Sequence, residues 1–322
     1  MKQLLVAMFA LRGHSGCGIG DFGNLLPAID MAALMGLREV IVCYAMYETL
    51  GKGMPLHPAF IDLRQLPAIA NRTKASAFAA QAAELDSEHE VNYAKSYNLK
   101  MHCLRELYLQ DGDSVLSSDG YHAFWRENGD WLEHYAVYCT LRHKYGTGNN
   151  RYWSEPDYTR LLEDSNFIKE YSDDIRFHCY VQYLLYRQLD IVRAYAREKD
   201  IELTVRNAEH TASSRYIWET ASAGQRAELY SRLGFTGSAP DCLQPWVAEA
   251  YVRRNTSEAV LLEDLLATTT LTRKFPPLQE VIDPPFDRTS AWCYRMGITL
   301  EDVLSHRALL ECIRTIISDS NK

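Results

Sequence analysis

The stretch Leu4–Gly23, LLVAMFALRGHSGCGIGDFG, decides the fold. It opens as an apolar run rich in Leu, Val and Phe and passes into a turn cluster that carries five glycines. In Asn24–Leu37, which follows, Leu25, Ile29, Ala32, Ala33 and Leu37 recur at helical spacing. A strand, a loop and an amphipathic helix make one βα unit, the building block of a parallel sheet. Within the loop, Gly18-Ile-Gly20-Asp-Phe-Gly23 fits the G-x-G-x-x-G dinucleotide pattern, which raises a nicotinamide or flavin enzyme as one reading. The context argues against it. In that fingerprint the first glycine turns the chain directly off the strand, so that the helix N-terminus meets the pyrophosphate. Here Arg12–Cys17 intervene, and the next strand-like run, Arg38–Ala45, ends without a clear ribose-binding acid, Glu48 being the nearest.

The chain has 322 residues, 47% hydrophobic and 24% charged, an ordinary globular composition that suits one large domain or two small ones. A formal charge of −8 argues against nucleic acid as a partner. The eight cysteines are scattered with no C-x-x-C pair, so buried reduced thiols are expected rather than a disulfide framework or a zinc site. No cofactor and no metal are expected. Lys2 followed by Leu4–Leu11 imitates a signal peptide, and Ser15-Gly16-Cys17 imitates a lipoprotein cleavage site. The run is short, however, and Arg12 and His14 stand where small neutral residues belong. No apolar run has the length to span a membrane. These features lead to the expectation of a soluble, cytoplasmic protein.

Further along, Arg38–Ala45 (REVIVCYA) reads as a second buried strand, and Ile201–Asn207 (IELTVRN) as a third. Between them, Asn92–Lys95, Leu99–Leu109, Tyr121–Tyr145 and Ile175–Arg197 show three- and four-residue apolar spacing, with Gly146 a plausible helix stop. Aromatic sets on these helices (Trp125, Trp131, Tyr135 and Tyr138; Tyr180, Tyr183 and Tyr186) read as core or a helix–helix seam before they read as sugar platforms. His178-Cys179 hints at a thiol nucleophile, but neighbours on a helix point in different directions.

Short blocks in a fixed order carry a resemblance over nearly the whole chain. They are G-I-G-D-F-G-N-L at Gly18–Leu25, L-H-P-A-F-I-D-L at Leu56–Leu63, F-W-x-x-N-x-x-W-L-x-x-Y-A from Phe124, V-Q-Y-x-x-x-R-Q-L from Val181, and W-C-Y-R-M at Trp292–Met296. Together they resemble the amylomaltase, or 4-α-glucanotransferase (disproportionating enzyme), family, retaining transglycosylases of α-1,4-glucans built on a (β/α)8 barrel. The resemblance implies an α/β fold: a barrel remnant with about four adjacent parallel strands and a large helical insertion. It divides the chain into residues 1–70 (barrel strands one and two), 71–197 (helical insertion and return helix) and 198–322 (remaining strands and C-terminal helix), one continuous globular unit. By the same resemblance, Gly224–Arg254 looks like a segment near strands seven and eight, and Ser257–Leu266 like strand eight. The third strand is then either strand three or strand seven, giving the adjacent set 8-1-2-3 or 7-8-1-2. Either set has two open edges, which the helical insertion, the loop 276–288 or a second copy of the chain would cover.

The family's chemistry is what the sequence lacks. The family carries an Asp nucleophile in R-x-D-H, a Glu acid/base in G-E-D-L-G and a sugar-gripping Asp in T-H-D. Retaining transfer needs a carboxylate nucleophile and a carboxylic acid roughly 5 Å apart. This chain has no R-x-D-H, no Gly-Glu and no His-Asp; Ala208-Glu209-His210-Thr211 is the nearest remnant. The candidate catalytic residues are therefore Glu209 and Asp21, within a wider set of strand-end acids that adds Glu48, Glu263 and Asp264. The candidate substrate-binding residues are His57, Glu48, His210 and Trp292. The leading expectation is a catalytically degenerate relative that keeps weak α-glucan binding or docks on a partner, either a second copy of itself or an active glucanotransferase. The alternatives are an active 4-α-glucanotransferase with relocated carboxylates, and a dinucleotide enzyme using Gly18, Gly20 and Gly23.

Overall fold

The structure, a computed structural model, describes residues 3–43, 55–154, 164–206, 212–254, 259–275 and 293–319. Strands β1 (Gln3–Ala7), β2 (Glu39–Cys43), β3 (Glu202–Arg206) and β4 (Ala259–Leu261) form one parallel sheet in the order β3-β2-β1-β4. Leu4 stands opposite Val40 on one side and Val260 on the other, and Val40 opposite Leu203. Every residue of β2 (EVIVC) is buried, as a continuous β-branched run requires when helices cover both faces of a parallel sheet. The pairing of β3 with β2 gives it the place of strand three, and the pairing of β4 with β1 gives it the place of strand eight. The sheet is the contiguous arc 8-1-2-3 of a barrel. β4 ends at Leu261, before the end of the apolar run Ser257–Leu266, because Leu262–Ala267 turns into a helix.

In chain order the helices are α1 (Phe22–Met35), α2 (Arg72–Ser87), α3 (Tyr93–Leu116), α4 (Asp119–Tyr145), α5 (Ser165–Glu170) and α6 (Ser172–Glu198). After β3 come α7 (Ser214–Thr220), α8 (Ala223–Arg232), α9 (Pro245–Arg254), α10 (Leu262–Ala267), α11 (Leu300–Ser305) and α12 (Arg307–Asp319). Gly36 and Gly146 end α1 and α4 in the left-handed conformation, at φ of 79° and 65°, where a side chain is costly. α3 runs unbroken through the segment where the sequence suggests two pieces, because Tyr97, Asn98 and their neighbours continue the turn without a breaker. Gly224–Arg254, likened to a region near strands seven and eight, folds into α8 and α9.

The chain divides into two compact units, one of Met1–Met46, Ala80–Ser96 and Ile191–Lys322, the other of Tyr47–Ala79 and Tyr97–Asp190. The first holds the sheet. α1 packs on α11 and α12, and α9 packs on α10 and α12. A side cluster gathers Trp218, Leu243, Val247 and Ala248, with Tyr230 and Phe235 stacked 4.8 Å apart beside it.

The second unit is helical, and its aromatic stripe is a seam. Tyr121 meets Tyr183 edge-on at 5.5 Å, Phe124 meets Tyr186 at 5.2 Å, and Trp131 meets Tyr186 at 5.8 Å. The Leu56–Leu63 block lies in this unit as two 3-10 turns, Pro58–Phe60 and Leu63–Gln65, held by backbone recognition. Gln182 accepts the Leu56 N–H at 2.9 Å and donates to its carbonyl at 2.8 Å. Gln188 does the same for Asp62, at 2.8 Å each way. The fully buried Lys100 donates to the carbonyls of Ala59 and Ile61, both at 2.7 Å. The two glutamines are those of V-Q-Y-x-x-x-R-Q-L, six residues apart, so one motif secures the other. Replacing either by leucine keeps the shape and leaves a buried N–H and C=O unpaired. Gln182→Leu and Gln188→Leu are each expected to lose about 1–3 kcal/mol in chemical denaturation.

Candidate functional site

The carboxyl ends of the strands are where a parallel α/β sheet carries its site. β1 leaves the sheet through a 3-10 turn at Met8–Ala10 and a loop to Gly20. The segment 293–300 is laid along this exit: Met296 N–H donates to Ala10 O at 2.9 Å and Leu300 N–H to Arg12 O at 2.8 Å. On the other side β4 passes straight into α10, which puts Glu263 and Asp264 in that helix's first turn. A cavity of about 460 Å3 lies between them, lined by Arg12, His89, Glu263, Lys274, Tyr294 and Arg295 among others.

Two of its arginines are held by the end of α2. Arg295 donates through Nη1 to the carbonyls of Asp86 at 2.6 Å and Glu88 at 2.9 Å, and through Nη2 to the Asp86 carboxylate. Arg12 donates to the same Asp86 carbonyl at 2.9 Å. Val91 N–H closes the arrangement on Cys293 O at 2.8 Å. Cations suit a helix C-terminus, whose last carbonyls lack intrahelical partners. Burial lowers the Arg295 pKa, but a guanidinium stays charged.

The strand-end acids differ in what they do. Asp21 is the N-cap of α1 in a capping box: its carboxylate accepts the Asn24 N–H at 3.2 Å while the Asn24 side chain accepts the Asp21 N–H at 3.0 Å. Asp264 accepts the Ser214 N–H at 2.6 Å at the start of α7, and burial pushes its pKa up to about 6. Glu263, 5% exposed, lines the cavity. His57 sits in the helical unit as the N-cap of the Pro58–Phe60 turn. Its Nδ1 accepts the Ala59 N–H at 3.2 Å, which leaves the proton on Nε2, and its ring lies 5.6 Å from Tyr97. Glu48, Glu209, His210 and Trp292 lie outside the described residues. Arg12, His89, Lys274 and Arg295 were not singled out from sequence. Arg295 had a signal in W-C-Y-R-M, whereas Lys274 and His89 had none.

The dinucleotide reading does not survive the geometry. Gly18 lies well past the end of β1 at φ 75°, and a Cβ there would stand 2.8 Å from the Leu85 carbonyl oxygen. Gly20 donates its N–H to Phe9 O at 2.9 Å, and a Cβ on it would collide with the Met8 carbonyl. Both glycines serve close packing, and the α1 N-terminus, where a pyrophosphate would sit, is filled by the Asp21 carboxylate. His178 and Cys179 make no nucleophile pair either. Burial first, then the nearby cations, pushes the imidazole down to about 3, and burial pushes the thiol up to about 12. Among the described residues no helix is long and apolar enough to cross a membrane, and no cluster of His, Cys, Asp and Glu could hold a metal ion.

A four-stranded parallel sheet with a cavity at its carboxyl edge defines an α/β protein of the parallel class, to which (β/α)8 barrels belong. The family model for 4-alpha-glucanotransferase matches residues 6–209, and the chain belongs to that family. The 4-alpha-glucanotransferase DPE2 of Oryza sativa subsp. japonica is 28% identical over 218 residues, 62% of this chain and 22% of that protein. The 4-alpha-glucanotransferase of Chlamydia muridarum is 23% identical over 254 residues, 74% of this chain and 48% of that one. The chain thus spans about half the length of the chlamydial relative and about a fifth of the rice protein. In fold it is similar to the amylomaltase from Streptococcus agalactiae, solved in complex with acarbose. The TM-score is 0.64 at 12% identity, over 100% of this chain and 99% of that one. The four-stranded sheet with its helical insertion is a remnant of that barrel fold.

Asp264 gives this site a pH signature. Its folded pKa is raised, so its contribution to stability is fully present below the ordinary carboxylate range and is lost as pH rises through about 6. In a series of denaturation midpoints, Asp264→Asn is expected to remove the part of the decline that falls between about pH 4 and pH 6.

Proposed function

We propose that this chain is a catalytically degenerate member of its family that binds an α-glucan in the cavity beside Glu263. One observation carries the reading: of the cavity's described lining residues, Glu263 is the one carboxylate. Retaining glycosyl transfer uses a nucleophile and an acid about 5–5.5 Å apart, and a lone carboxylate supplies half of that pair. The sequence agrees, since R-x-D-H, Gly-Glu and His-Asp are all absent from it. Binding is supported by the character of the cavity, which combines the Tyr294 and Phe275 rings with hydrogen-bonding groups, a mixture that suits sugars. The amylomaltase of similar fold was solved with acarbose, which makes a glucan analogue the natural first ligand.

A second reading, an active 4-α-glucanotransferase, is favoured by Glu263 itself, a buried carboxylate at the carboxyl end of the strand-eight position. Glu209 would then be the second acid. Maltotriose disproportionation at high protein concentration separates the two readings. No released glucose is expected, together with saturable acarbose binding by calorimetry that weakens several-fold in Glu263→Gln. Glucose released by the native chain and lost in Glu209→Ala would establish the second reading. Failure to bind acarbose or maltoheptaose would sink the glucan half of the first.

A further inference from the structure

The helical unit contains a second cavity, of about 520 Å3, unrelated to the strand ends. α3 contributes His102 and Arg105, the last turn of α4 contributes Arg142 and His143, and α6 contributes Asp174 and His178. Arg105 is held rigidly. Its guanidinium lies over the Phe177 ring at 4.7 Å and the Tyr108 ring at 5.4 Å, and Nη2 donates to Asp173 at 2.7 Å and Asp174 at 3.0 Å. Arg142 donates to the Tyr97 hydroxyl at 3.2 Å. The wall at Gly146–Gly148 is fixed as well: the Tyr138 hydroxyl donates to Gly148 O, and the Trp153 indole to Thr147 O, both at 3.0 Å. A Cβ at Gly148 would come within 2.8 Å of the Tyr138 oxygen, so a larger residue there would displace that hydroxyl.

Burial first, then Arg142, His143 and Arg105, depresses the His178 pKa; Asp173 and Asp174 pair with Arg105 through Nη2, whereas its buried Nη1 has no hydrogen-bond partner. The basic last turn of α4 also complements that helix's C-terminal dipole, which accounts for Arg142 and His143; Arg105, from another helix, is held by its carboxylate partners and aromatic faces with its Nη1 left over. The imidazoles are not arranged for a metal ion, since no such cluster exists among the described residues. What the lining offers is planar guanidinium forks and imidazole donors facing the apolar surfaces of Met101 and Phe177. Forks of this kind match the oxygens of a phosphate group, and the volume is that of a small-molecule site.

We propose that this cavity binds a phosphate monoester, with Arg105 and Arg142 on the phosphate and the organic body against Met101 and Phe177. The test is calorimetric titration of the full chain at low salt with inorganic phosphate and with glucose 6-phosphate, glucose being the uncharged control. Both phosphates are expected to bind saturably, glucose 6-phosphate the more tightly, and to weaken as salt is raised. Arg142→Gln should lower the affinity for each by about tenfold or more. Arg187→Gln, an exposed change on α6 that is not among the lining residues, should leave it unaltered. If Arg142→Gln fails to fold, the exposed pair His102→Gln/His143→Gln decides, with a several-fold loss expected. Absence of phosphate binding at millimolar concentration overturns the proposal, as does binding that neither variant weakens. Acarbose binding at the first cavity involves no phosphate and is expected to be unchanged in these variants, so the two proposals fail separately.

Discussion

Two guanidinium groups closing on the end of one helix are the constraint on which the sheet-bearing unit depends. The last carbonyls of α2 have no partners within the helix, and Arg295 and Arg12 satisfy them while Asp86 neutralises part of the charge. The arginines come from opposite ends of the chain, one from the loop after the first strand and one from the segment that runs back along it. The contact therefore fixes the exit of β1, the segment 293–300 and the wall of the cavity in one step. A buried charged pair of this kind loses far more when one partner is removed than the intact pair contributes, so it acts chiefly as a specifier of geometry.

This commitment bears on the chemistry of the two cavities. In the first, Arg12 and Arg295 line the space with Nη donors committed to backbone carbonyls and the Asp86 carboxylate, beside the Tyr294 and Phe275 rings. A neutral polyhydroxylated ligand fits that condition. In the second, Arg105 lies over the Phe177 ring and is paired with Asp173 and Asp174, and burial, then the nearby cations, depresses His178.

Much of the scaffold was legible in the chain. The βα unit at Leu4–Leu37, the strands at Arg38–Ala45 and Ile201–Asn207, the long helices and the stop at Gly146 all follow from local periodicity and glycine conformation. Pairing was not, because local sequence does not say whether a third strand lies beside the second or beside the eighth; only the β2–β3 register decides that. Asp21 was misleading as a catalytic candidate for a related reason: an acid before an amphipathic helix reads equally as a cap, and the reciprocal bond with Asn24 becomes visible only in three dimensions. Gly18 and Gly20 matched a phosphate-binding pattern because close backbone approach demands glycine whether the approaching group is a pyrophosphate or the Leu85 and Met8 carbonyls. Gln182 and Gln188 belonged to a recognised block, but nothing local announced that each would clasp one residue's backbone more than a hundred positions earlier.

The sheet order has one more consequence. A closed barrel is a ring, in which every strand is bonded on both sides and none can leave without breaking two ladders. Among the described residues this sheet is a ladder with ends. Of the central pair, β2 is buried throughout and β1 at Leu4, Val6 and Ala7, the described β4 is Ala259–Leu261, and Glu202–Val205 of β3 are partly open to solvent. Opening can therefore begin at either margin and stop before the centre, so that amide protection should grade from the outer strands inward instead of being shared around a circle. Among the described residues, an open ladder in place of a ring exchanges one cooperative closure for a gradient of local stabilities, steepest where the cavity's Glu263 follows β4.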